Sequence, residues 1–166
     1  MIELKKLQIR QAQPFESGLL TEISFAAKKH WNYPDNYYDI WRDELIITKD
    51  YIHQNIVFEA LYHDSVVGFY SIIENEADFY TDDNTFVKKG FWLEHLFIKP
   101  AYHKLGIGML LMNHAKKISR DSGISDLLIF ADPNAKGFYD KAGAEYLYES
   151  KSSIPGRTVP VYGLKI

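Results

Sequence analysis

The segment His103-Lys104-Leu105-Gly106-Ile107-Gly108 stands between an apolar run ending Leu96-Phe97-Ile98, followed by Lys99-Pro100, and a stretch of helical periodicity. Gly106 and Gly108 lack a β-carbon, so successive N–H groups there can turn toward one point and add to the positive end of a helix dipole. The chemistry this offers is anion binding, with a phosphate as the natural guest. The same Gly-x-Gly spacing also serves a plain strand-to-helix turn. Two other phosphate motifs fail on offsets: the dinucleotide fingerprint needs a third glycine where Leu111 stands, and the P-loop's Gly-Lys-Ser/Thr occurs nowhere. With no His-Glu-x-x-His pair and no close His and carboxylate cluster at metal spacing, the six histidines read as dispersed core or surface residues, and no metal is expected.

The elements that must position this loop follow from periodicity. Leu4 to Arg10 alternates as a half-buried strand, and Phe15, Leu19, Glu22, Ile23 and Ala26 recur at helical spacing up to His30. Asp35 is placed to cap a second helix through Tyr38, Trp41 and Leu45, and Thr48 a short third one. Ile56 to Tyr62 and Val66 to Glu74 form a hairpin about His63-Asp64-Ser65, and Phe86 to Ile98 continues the sheet after a polar turn at Thr81 to Asn84. A helix runs from Gly106 through Leu110, Leu111, His114, Ala115 and Ile118 to Ser122-Gly123. Leu127 to Ala131 is a buried strand, Ala135 to Ala142 a short helix, and Glu145 to Tyr148 and Thr158 to Ile166 are closing strands. The fold class expected is mixed α/β.

At 166 residues the chain suits one domain, 1–166, with no linker and no repeat. Its 46% hydrophobic content, with 12 Tyr, 10 Phe and 3 Trp, excludes a disordered chain. Lys+Arg 19 against Asp+Glu 22 gives a net charge of -3, which makes nucleic acid an unsuitable partner. The absence of cysteine excludes disulfides, a thiolate nucleophile and zinc-thiolate sites. No apolar window reaches the roughly 18 residues of a membrane span and MIELKKLQIR has no signal-like stretch, so the expectation is a cytoplasmic protein without a membrane partner.

The segment LEHLFIKPAYHKLGIGMLLMNHA resembles the acetyl-CoA-binding motif of the GNAT superfamily of N-acetyltransferases, a strand, a proline, then Gln/Arg-x-x-Gly-x-Gly/Ala opening a helix. PNAKGFYDKAGA, from Pro133 to Ala144, resembles that family's second motif, an Asn-containing helix start, Phe/Leu-Tyr, then Lys-x-Gly. The likeness covers Phe91 to Tyr148 closely and the other strands loosely. His103 stands where Gln or Arg is usual, and Ala144 where Phe is commoner. The resemblance implies a mostly antiparallel twisted sheet flanked by helices and splayed at the cofactor strand. It implies acetyl-CoA as co-substrate, its pyrophosphate on the amides of His103, Lys104, Leu105, Gly106, Ile107 and Gly108, with Met109 nearby. The pantetheine arm would pair with the backbone of Leu96, Phe97 and Ile98, supported by Asn134.

The reaction implied moves an acetyl group to a primary amine of a small molecule or peptide by direct attack in a ternary complex. Tyr139 holds the second motif's place for an acid beside the sulfur, where a phenol suffices for a thiolate of ordinary pKa near 8.5. Glu94 lies on the strand leading to the loop, where the family often puts a carboxylate base. Glu94 and His95 point to opposite faces, so at most one faces the acceptor, and His95 or a water is the alternative base. An oxyanion donor is expected near Phe97. The resembled fold walls its acceptor pocket with segments that here contain Trp31, Tyr33, Tyr37 and Arg157. A homodimer is a possible assembly. A non-catalytic acyl-CoA-binding sensor or scaffold is the alternative function, against which Tyr139 and Glu94 count.

Overall fold

The computed structural model describes residues 2–166. Seven strands form a mixed, mostly antiparallel sheet in the order β1-β2-β3-β6-β7-β9-β8, comprising Leu7–Gln11, Ile56–Tyr62, Ser65–Asn75, Gly90–Ile98, Asp126–Phe130, Thr158–Lys165 and Glu145–Lys151 respectively. A separate two-stranded ribbon pairs β4 (Phe79–Tyr80) with β5 (Phe86–Val87). Helices α1 (Ser17–Lys29), α2 (Asp35–Leu45), α3 (Lys49–Gln54), α4 (Ile107–Asp121) and α5 (Lys136–Lys141) complete the chain. The expected mixed α/β class and the flanking helices are present.

Two compact units divide it, Met1–Ile72 with His95–Ala115, and Ile73–Glu94 with Lys116–Ile166. In the first, side chains alternate along β2 and β3. Val57, Leu61 and Phe69 face a core shared with Leu20 and Ile23 of α1 and Ile52 of α3. Phe58 and Tyr70 turn to the opposite face, where Phe58 and the Tyr70 hydroxyl meet His114 of α4 at 4.7 Å and 2.9 Å. The apolar face of β2 also carries a charge: Glu59, fully buried, receives Arg10 Nε at 2.7 Å while the same guanidinium reaches Glu16 at 2.6 Å. Glu59 Oε2 has no hydrogen-bond partner among the described residues. In the second unit, Trp92 stacks on Phe130 at 4.4 Å and packs with Val87 and Val161, and its indole N–H donates to the Lys88 carbonyl at 2.9 Å.

Three sequence expectations change. Leu4–Lys6 is a 3-10 turn and the strand starts at Leu7, because Lys6 N–H bonds back to the Glu3 carbonyl and Leu4 turns toward Gly106. Asp35 does not cap α2: Pro34 occupies the cap position and Asp35 is the first helical residue, whereas Thr48 does accept from Tyr51 N–H at 3.0 Å. Phe86 to Ile98 is not one strand. Phe86–Val87 leaves to pair with Phe79–Tyr80, and the sheet strand begins at Gly90, whose φ of +133° breaks the extended run.

Candidate functional site

The loop that follows β6 is built from both ends. Lys99 N–H donates to the Val67 carbonyl at 2.8 Å and closes the β3 ladder, and Pro100 starts a 3-10 turn to Tyr102 that costs no hydrogen bond because proline has no N–H to lose. His103 then folds back: its Nε2–H donates to the Ile98 carbonyl at 2.8 Å, fastening the loop to the strand end. Lys104 and Gly106 take left-handed φ values of +59° and +87°, and alternation of this kind concentrates main-chain N–H groups into an anion-binding concavity. At Gly106 a β-carbon would stand 3.3 Å from Leu4 Cδ1, so both backbone and space favour glycine. The first internal bond of the next helix goes from Leu110 N–H to the Gly106 carbonyl. Residues 103–104 form a tight turn that draws Leu105 N–H inward, while the N–H groups of Lys104, Gly106, Ile107, Gly108 and Met109 find no acceptor among the described residues. Lys104 and Gly106 are exposed and Gly108 and Met109 half-buried, so these donors are open to a ligand.

Beside the loop, the end of β6 from Leu96 to Ile98 lies beyond its parallel pairing with β7, which joins Trp92 and Leu128. A β-carbon on Gly68 of β3 would stand 2.8 Å from the Phe97 carbonyl oxygen and 2.6 Å from Ile98 Cδ1, so glycine there lets β3 and β6 close up. Phe97 and Lys99 thus direct main-chain groups to β3, and because these groups alternate, Leu96 and Ile98 direct theirs to the other edge. Phe97's own ring packs on Phe69 at 6.0 Å. Of the three residues expected to meet a ligand, Leu96 and Ile98 carry the outward amides, with the Ile98 carbonyl already taken by His103.

Glu94 is exposed and His95 buried, as alternation requires. His95 is bound on both nitrogens: Nε2–H donates to the Glu44 carbonyl at 2.9 Å, and Nδ1 accepts from Ser71 Oγ at 2.8 Å, which itself accepts from the Tyr51 hydroxyl at 2.8 Å. Burial first, then the nearby Lys28 charge, lower its pKa to about 4 against the lift given by Glu44. An imidazole so placed is neutral and fully engaged, which removes it as the alternative base.

The aromatics expected to form one wall separate into two groups within this unit. Trp31 stacks on His103 with centroids 6.4 Å apart, and His30 meets the same imidazole edge-on at 4.6 Å. Tyr33 and Tyr37 instead surround Trp41 at 5.1 Å and 5.4 Å, with Lys28 Nζ over the Trp41 ring at 4.5 Å. The cause is Asn32, whose φ of +55° reverses the chain just after α1. His30, Lys28 and Trp41 were missed by motif reading. Only their neighbourhood in the aromatic stretch from Lys28 to Trp41 marks them.

In the other unit, Asp132 caps the turn before α5 by accepting from Asn134 N–H at 2.9 Å, and Asn134 Nδ2 donates to the same oxygen at 3.0 Å. Tyr139 is buried on α5 with its ring 5.9 Å from Tyr162, and its hydroxyl pKa is pushed up by burial and then by the Asp132 charge. Arg157 closes the turn between β8 and β9, its carbonyl accepting from Ser152 N–H at 2.9 Å. Among the described residues no group of three His, Cys, Asp or Glu could hold a metal ion, and no helix is long and apolar enough to cross a membrane.

A family model described as the acetyltransferase (GNAT) family matches residues 19–144. The chain belongs to this family. Solved structures agree in fold at low identity. A GCN5-related N-acetyltransferase from Rhodopseudomonas palustris is 17% identical with a TM-score of 0.77, over 100% of this chain and 99% of that one. The PaiA N-acetyltransferase of Thermoplasma acidophilum, solved with coenzyme A, is 18% identical with a TM-score of 0.71, over 96% and 99%. A GNAT family acetyltransferase from Brucella melitensis, solved with acetyl-CoA, is 17% identical with a TM-score of 0.60, over 96% and 87%. No curated protein matches the chain by sequence. As a member of an acetyltransferase family the chain has acyl transfer as its class of reaction.

Proposed function

We propose that this GNAT protein transfers the acetyl group of acetyl-CoA to a primary amine of a small molecule or peptide, by direct attack within a ternary complex. The observation that carries the reading is the set of acceptor-free N–H groups at Lys104 and from Gly106 to Met109, about left-handed Lys104 and Gly106. These donors suit a pyrophosphate, and the outward amides of Leu96 and Ile98 suit the amide-bearing pantetheine arm as an added strand.

In the reaction the amine nitrogen bonds to the acetyl carbon, the C–S bond breaks with its electron pair leaving on sulfur, and the nitrogen gives up its second proton to water as the amide forms. The ammonium of the acceptor first loses a proton, for which Glu94 is the carboxylate base, directly or through a water. Negative charge on the carbonyl oxygen is met by a main-chain N–H of β6, with Ile98 and Leu96 better turned for this than Phe97. The leaving thiolate has an ordinary pKa near 8.5. Burial holds the Tyr139 hydroxyl above its usual range, so full proton transfer to sulfur is uphill and Tyr139 acts chiefly by holding a hydrogen bond to the forming thiolate. Tyr33, Tyr37 and Arg157 remain the residues proposed for the acceptor, and Asn134 supports the pantetheine. A cytoplasmic, single-domain enzyme is the setting proposed. Calorimetric titration with CoA, followed by CoA release from acetyl-CoA across a panel of amines and peptides, tests the reading. Binding without turnover on any acceptor favours the sensor or scaffold instead, and no binding refutes both.

A further inference from the structure

We infer that Trp31, with His30 and His103 behind it, is a cofactor-binding residue that packs against the branched pantoyl part of CoA, rather than part of the acceptor wall. This rests on the proposed CoA site and adds a contact to it. Trp31 follows α1 directly, and its indole is 40% exposed. Its ring lies nearly parallel to His103, with an interplanar angle of 29°, while His30 braces the same imidazole edge-on at 81°. His103 is in turn fixed by its bond to the Ile98 carbonyl at 2.8 Å. The indole therefore stands on a held base at the junction where β6 gives onto the acceptor-free amides.

The position selects the partner. With the pyrophosphate on the loop and the pantetheine along Leu96 and Ile98, the group that passes the Ile98–His103 junction is the pantoyl unit with its two methyl groups. The adenine leaves from the other side of the pyrophosphate. A half-exposed indole on a rigid backing suits such methyl groups, since ring faces bury apolar area at little entropic cost. His103 in place of the usual Gln or Arg is accounted for by the same arrangement: its ring serves as backing and tether, and the phosphate is left to main-chain donors.

The test compares three ligands by calorimetry on parent, Trp31→Ala and Trp31→Phe: CoA, 4′-phosphopantetheine and adenosine 3′,5′-bisphosphate. Trp31→Ala should weaken CoA and 4′-phosphopantetheine alike, by about tenfold, the worth of two buried methyl groups. Adenosine 3′,5′-bisphosphate should bind unchanged, and Trp31→Phe, which keeps a flat apolar ring, should lose little. Trp41 and Trp92 are each 3% exposed, so a change in parent indole emission on adding 4′-phosphopantetheine, absent with adenosine 3′,5′-bisphosphate, supports the contact without any variant. Unaltered CoA affinity in a folded Trp31→Ala protein overturns the inference, as does a loss confined to adenosine 3′,5′-bisphosphate or an emission change caused by that ligand alone. Failure of the parent to bind CoA is a separate result that removes the CoA site itself.

Discussion

Glu59 and His95 are buried in the same unit and titrate with opposite consequences for folding. Glu59 rises from its ordinary 4.5 to about 7, because burial, the largest cause, outweighs Arg10 and the neighbouring Glu16 charge adds to it. A carboxyl raised by the fold binds its proton more tightly folded than unfolded, so its contribution is full below pH 4.5 and is lost as pH rises through 7. His95 falls from 6.5 to about 4, so its contribution is full above 6.5 and is lost as pH drops toward 4. At about 1.4 kcal/mol per tenfold in proton affinity, going from pH 7.5 to 5 gains about 2 kcal/mol from Glu59 and loses about 2 kcal/mol from His95. The two nearly cancel in the parent. The lowered carboxylates Asp83, bonded by the Thr81 hydroxyl, and Asp121, paired with Lys117 at 2.7 Å, act only at lower pH.

The perturbation is Glu59→Gln, which keeps the shape and an acceptor for Arg10 and removes the titration. Urea unfolding at pH 5, 6 and 7.5 should give a nearly level stability for the parent. The variant should be about 2 kcal/mol less stable at pH 5 than at 7.5, as His95 acts alone, which for this chain length corresponds to roughly 4–8 °C in Tm. His95→Gln should show the mirror slope, gaining stability toward pH 5. Parallel curves for parent and Glu59→Gln would refute the reasoning, because they would mean that Glu59 keeps one protonation state throughout this range.

Gly106→Val forces a β-branched residue to φ +87° against Leu4, and should weaken CoA binding by tenfold or more in calorimetry, with about 1–3 kcal/mol lost from stability. Tyr139→Phe removes one hydrogen-bond donor to the developing thiolate and should lower turnover about 100-fold with CoA affinity little changed, once chemistry is shown to limit the rate. The parent's rate should show no tyrosine limb below pH 10, given the raised phenol. Glu94→Gln should depress turnover across the acidic limb of the pH profile, and superimposable profiles would leave a water as the base.

The turn from β6 into α4 was legible because it is local. Two glycines, a proline and a change from strand to helical period lie within a dozen residues, and local geometry needs no partner from afar. The long elements were legible for the same reason: α4's apolar period and the His63-Asp64 turn, both residues left-handed at φ +48° and +62°, are written in adjacent residues. What escaped depends on distant pairings. Nothing near Phe86 marks its departure to Phe79, and nothing beside His95 shows that Glu44, Ser71 and Tyr51 will enclose it.

The aromatic stretch is the instructive case. A spacing of two puts Trp31 and Tyr33 side by side in sequence, and composition alone assigns them one role. A single left-handed residue, Asn32, sends them to different neighbours, Trp31 to the loop histidine and Tyr33 to Trp41 and Lys28. Asparagine is among the few side chains that visit this region readily, so the signal was present but weak. Its consequence is chemical as well as geometric. On the proposed site Trp31 serves the cofactor and Tyr33 and Tyr37 the acceptor, so substitutions at the two should separate in kinetics, the first in the KM for acetyl-CoA and the second in the KM for the amine.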